Sequence, residues 1–152
     1  MIVDNSATLV VLGDAGASTA DRVTSILRLI PTLALEAGTT VGGSGAAARV
    51  LDHSVWHLVY EDHGTGTDAS GFASLYGLLQ ALEGKGQAVA MLQQERYEVR
   101  IDWRGESDSD RGGFILDPVL AARVARLGIP VYGTTVWDGI RDGAARGGDS
   151  AA

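Results

Sequence analysis

The chain has 152 residues, 45% of them hydrophobic and 20% charged, and a formal net charge of −7. That is one soluble globular domain's worth of chain, and without a basic stripe it counts against nucleic acid as a partner, because phosphate neutralisation drives such binding. Cysteine is absent, which removes disulfides, thiolate metal ligands and a cysteine nucleophile together.

The opening MIVDNSATLVVLGD has neither a basic leader region nor a long apolar run, so no signal peptide or membrane span is expected and a cytoplasmic setting is the default. Ala7 to Leu12 is apolar and β-branched and predicts a buried strand. Gly13, Gly16 and Ser18 make the turn that follows. Its GDAGAS matches neither G-x-G-x-x-G nor the phosphate loop with its lysine, so an ordinary strand-to-helix connection is expected. Ser18 or Thr19 can cap a helix whose Val23, Ile26, Leu27 and Ile30 share one face, and Pro31 should end it.

Residues 32–53 are rich in Gly, Ala and Thr and read as a loop with little core. GGSGA fails the nucleophile-elbow pattern at its last position. Val55 to Glu61 alternates and predicts a second strand. His53, His57 and His63 lie close in sequence, but a four-residue step on a strand separates side chains by about 13 Å, so a metal site is not expected. After a turn at DHGTGTDASG, with Asp68 or Ser70 as cap, Phe72, Leu75, Leu79 and Leu82 recur at helical spacing. Gly84 and Gly86 break the helix, and Ala88 to Leu92 continues as a second piece.

The next stretch organises the rest. Tyr97, Val99, Ile101 and Trp103 alternate with Glu98, Arg100, Asp102 and Arg104, which writes a strand with one buried and one wet face. GESDSDRGG then reads as a solvated hairpin loop; its acidic residues do not meet the calcium-loop spacing. Phe114 to Leu116 predicts a short strand, and Asp117-Pro118 a helix start with Asp as N-cap and Pro at the first helical position. Leu120, Val124 and Leu127 share a helical face, Arg123 and Arg126 suit the helix C-terminus, and Gly128 is placed to end it. Ile129 to Trp137 returns as a strand.

The run RGGFILDPVLAARVARLGIPVYGTTVW, with its Gly-Gly-Phe strand, Pro-started helix ending in Leu-Gly and final hydrophobic strand, resembles the C-terminal signature of the bacterial domain of unknown function family 4279. The N-terminal half agrees more loosely, through a strand, a short helix, Leu29-x-Pro31 and Gly38. The resemblance covers most of residues 6–138. It implies an α+β fold of unassigned role, with some members near toxin–immunity loci. Its motifs are caps, turns and core faces, and it carries no catalytic residue across. The chain departs from the pattern at the end, where Gly133 interrupts the last strand and a polar tail follows.

The expected class is therefore α+β: a single-layer mixed or antiparallel sheet with helices packed on one face, including a C-terminal β-β-α-β unit. One domain should cover residues 1–140, with a flexible polar tail over 141–152. Two functional readings follow. The first is a small acidic interaction protein, immunity-like, that binds a basic protein partner. The alternative is a small enzyme or ligand-binding protein with a pocket on the sheet face. There His57, Glu61 and Asp102 are the catalytic candidates, and Tyr60, Arg100 and Trp103 would contact the ligand, all converging from adjacent strands. Neither reading calls for a cofactor or a metal. An exposed edge strand would also let two copies pair across a two-fold axis.

Overall fold

The computed structural model describes residues 1–14, 18–43, 45–63, 70–110 and 114–137. In chain order these form β1 (Ile2–Asp14), α1 (Ala20–Leu27), β2 (Leu33–Leu35), β3 (Thr40–Val41), β4 (Arg49–Val50), β5 (His53–Asp62), α2 (Ala73–Ala81), α3 (Gly86–Gln94), β6 (Glu98–Ser107), α4 (Pro118–Leu127) and β7 (Val131–Trp137). Five strands make one mixed sheet in the order β2-β5-β1-β6-β7, and β3 pairs with β4 in a small separate ribbon. The class is α+β, as the alternation of the sequence predicts.

β1 is the central strand. It runs antiparallel to β5 on one side and to β6 on the other. It is longer than Ala7 to Leu12 alone would suggest, because the polar Asn5 and Ser6 are also paired on both sides and Asp4 is paired with β6. Rows of side chains cross the three strands. Val11, Trp56 and Val99 form one row, Leu9, Leu58 and Ile101 the next, and Ala7, Tyr60 and Trp103 a third. These rows build the core, into which α1 sends Val23 and Leu27, α2 Leu75, Leu78 and Leu79, α3 Val89 and Leu92, and α4 Leu120. All four helices thus lie on one face of the sheet. None of the described helices is long and apolar enough to cross a membrane.

The predicted caps of α1 and α4 are the ones used, whereas at α2 the N-cap position is Phe72, with no side-chain cap bond, rather than Asp68 or Ser70. Thr19 Oγ1 accepts from Arg22 N at 3.2 Å at the start of α1. Asp117 Oδ1 accepts from Val119 N and Leu120 N at 2.8 and 2.9 Å at the start of α4, with Pro118 in the first turn and Gly128 left-handed at the end. β6 and β7 are joined through α4 as parallel neighbours, a β-α-β unit.

Four local expectations are corrected. α1 stops at Leu27, before Pro31, because Arg28 turns left-handed and returns its N–H to Thr24 O at 2.8 Å; Ile30 is left 88% exposed. Residues 32–53 hold β2, a single 3-10 turn at Gly45–Ala47, and the β3–β4 ribbon. Phe114 to Leu116 forms no strand: β1 and β7 occupy both sides of β6, so no edge of that strand is open to it. β7 also runs in register straight through Gly133. The predicted tail over 141–152, the Gly112-Gly113 turn, and parts of GDAGAS and DHGTGTDASG lie outside the described residues.

Candidate functional site

Strand parity sorts the candidate residues between two faces. His57, Glu61, Arg100 and Asp102 stand on the face opposite the helices, where Val10 lies between His57 and Arg100, Thr8 between Val59 and Asp102, and Ser6 between Glu61 and Arg104. Tyr60 and Trp103 point the other way, into the helix layer. A Cβ on Gly77 of α2 would sit 2.9 Å from Tyr60 Cδ1, and the Trp103 ring packs 4.8 Å from that of Phe72. The six candidates therefore do not converge on one cavity, because residues an odd number of positions apart on a strand cannot share a face.

The open face is a ladder of charge. Arg100 lies between two carboxylates of its own strand: Nε donates to Asp102 Oδ1 at 2.9 Å, Nη2 to Asp102 Oδ2 at 3.3 Å, and Nη1 to Glu98. The hydrogen bond to Asp102 raises the guanidinium pKa above its ordinary range, aided by Glu98 against a burial penalty. Its Cζ stands 5.8 Å from the centre of the Tyr132 ring on β7. Half-buried His57 is pushed below its ordinary pKa chiefly by burial, with Asp102 opposing and Arg100 reinforcing the shift. Its imidazole is thereby biased toward the neutral form at pH 7. In this middle part of the face Asp102 is engaged by Arg100, and both line a broad concavity with Thr8, Tyr132 and Thr134.

The lower end of the same face is different. Asp4, Glu61 and Glu106 surround a small polar concavity of about 230 Å³ together with Ser6, His63 and Arg104. His63 Nδ1 lies 3.1 Å from Asp4 Oδ1, and Nε2 lies 3.5 Å from Glu61 Oε2. Asp4 and Glu106 are direct neighbours across β1 and β6, so carboxylates outnumber cations there. Of this group the sequence pointed only to Glu61. Asp4-Asn5-Ser6 precedes the strand predicted from Ala7, and Glu106 lies in the run GESDSDRGG that reads as a loop. The polar alternation Asp4, Ser6, Thr8 against buried Asn5, Ala7 and Leu9 is the signal that places them.

On the helix side, between α4, α2 and β7, lies an almost wholly apolar cavity of about 330 Å³. Phe72, Trp103 and Phe114 line it, with ring centres 4.8–5.4 Å apart in tilted and edge-to-face contacts. Val124, Val131 and Gly133 complete its wall. Nothing local in the sequence joins these residues. In the run Phe114 to Leu116, Phe114 and Leu116 turn toward this cavity while Ile115 is 68% exposed.

Comparison of the chain with protein-family models, with curated proteins and with solved structures finds no significant match in any of the three.

Proposed function

We propose that this chain is a small acidic interaction protein that engages a basic protein partner across the open face of its sheet. The observation that carries this reading is a five-stranded sheet whose helices, among the described residues, all lie on one side, with charged side chains on the other. Asp4, Glu61 and Glu106 cluster at one end of that surface. An acidic patch set against a net charge of −7 steers and orients a cationic partner. An immunity-like role, of the kind the sequence resemblance implies, is one instance of such binding. The test is capture from the native cell lysate, by the wild-type chain and by a Glu61→Lys/Glu106→Lys variant whose circular dichroism is unchanged. The wild type should retain one stoichiometric basic protein and the variant should lose it. Equal capture by both, or none by either, sinks the reading.

The apolar cavity under Phe72, Trp103 and Phe114 favours a second reading, a ligand-binding protein for a small apolar molecule. Its volume is at the lower end of the range for ligand pockets. A saturable change in tryptophan fluorescence on titration with a medium-chain fatty acid, lost in Ala121→Phe, would support it. A linear, unsaturable response would count against it.

A further inference from the structure

β7 is the end strand of the sheet. It runs in unbroken parallel register with β6 from Ile101↔Val131 to Ser107↔Trp137. Ile101 N donates to Pro130 O at 3.0 Å, so the Pro130 carbonyl faces β6. Backbone groups alternate in direction along a strand, so the N–H and C=O groups of Val131, Gly133, Thr135 and Trp137 face outward. Proteins usually blunt such an edge with lysine, an internal proline, a bulge or a charge. VYGTTVW has none of these. Tyr132 is 59% and Trp137 55% exposed, and Val131 and Val136 are each 37% exposed.

We propose that β7 pairs antiparallel with β7 of a second copy of this chain, about a two-fold axis at Thr134, giving one continuous ten-stranded sheet. This inference is independent of the partner read from the open face. In this register Val131 stands opposite Trp137, Tyr132 opposite Val136, Gly133 opposite Thr135, and Thr134 opposite itself. Odd residues meet odd residues, so the outward backbone groups bond one another and the helices of both copies stay on the same side. Apart from Gly133 with Thr135, the pairs are aromatic with β-branched and threonine with threonine, the combinations that stabilise antiparallel neighbours. The absence of charge selects the occupant. A basic partner strand would find no counter-charge on β7, whereas two strongly acidic copies meet there along a seven-residue edge without a charged side chain; β2, the opposite edge, is also uncharged but only three residues long. Trp137 of the second copy, opposite Val131 on the helix side, stands beside the apolar cavity that Val131 and Gly133 line.

Light scattering coupled to size exclusion tests this. The wild type should elute at twice its 15.8 kDa mass. Thr134→Glu and Thr134→Lys each place like charges across the axis and should elute as monomers with unchanged circular dichroism. Mixed in equal amounts, the two variants should recover the dimer mass, because opposite charges then face each other. A monomeric wild type at high concentration overturns the proposal, as does a dimer that survives both single variants. So does failure of the folded, mixed variants to associate.

Discussion

The indole of Trp103 lies over the backbone of Gly105, two residues along the same strand. A methyl at Gly105 would stand 2.5 Å from Cη2 and 2.8 Å from Cζ2 of that ring. The ring cannot move aside freely, because Phe72 and Phe114 hold it at 4.8 and 5.4 Å. Gly105→Ala should therefore destabilise the protein by about 1–3 kcal/mol, the usual cost of overpacking. Gly133, on the neighbouring strand, also faces Trp103, but a methyl there would meet Cε3 at an ordinary 3.6 Å. Gly133→Ala should leave urea-unfolding midpoints nearly unchanged. Equal losses in the two variants would show that general glycine effects, rather than the ring's position, dominate.

Asp117 joins two helices. It caps α4 through Val119 N and Leu120 N and accepts the phenol O–H of Tyr76 from α2. The Tyr76 hydrogen bond, followed by the bond from Leu120 N, holds its carboxyl below the usual carboxylate range. A depressed carboxylate contributes stability above its unfolded pKa and loses it as pH falls through the folded one. Asp117→Ala should lower Tm by a few degrees at neutral pH, and the gap from wild type should close on acidification. Thermal melts at several pH values would check this; a gap independent of pH would assign the loss to helix propensity alone.

Local chemistry made some of this fold legible and left the rest unread. The cap at Asp117-Pro118, the stop at Gly128 and the two-residue alternation of Val99, Ile101 and Trp103 are each set within a few residues, and the structure uses all of them. Phe114 to Leu116 carries as strong a strand signal as many true strands. Whether it pairs depends on β7 already occupying the side of β6, a contact formed across α4. For the site, the same alternation that predicted the strands also separates Tyr60 from His57 and Trp103 from Asp102. Parity was thus available before any coordinates. The acidic group of Asp4, Glu61 and Glu106 was not, because it joins three strands far apart in the chain.

Trp56 is wholly buried, and its Nε1 donates to Thr24 Oγ1 of α1 at 2.9 Å. The bond ties the first helix to the sheet. Thr24→Val keeps the shape and leaves that N–H without an acceptor, so it should cost about 1–3 kcal/mol. Thr24→Ser restores the oxygen and should recover most of the loss. Urea denaturation of the three proteins measures both; a valine variant as stable as wild type would mean that the indole N–H finds another acceptor.

His57 sets the last expectation. Its neighbours on the open face are Val10 across β1, Leu33 across β2, and beyond Val10 the paired charges of Arg100 and Asp102. Burial, more than any charge, depresses its pKa. In the unfolded chain the imidazole takes up its proton near pH 6.5, whereas the folded protein resists doing so until lower pH. Unfolding therefore binds a proton in that window, and stability that is complete above the unfolded pKa is lost as pH falls through and below it. His57→Gln removes the titrating group, so the fall in urea midpoint from about pH 7.5 to about pH 5.5 should be shallower in the variant than in wild type. Parallel pH profiles for the two proteins would place the acid sensitivity on other groups and leave His57 a bystander on the sheet.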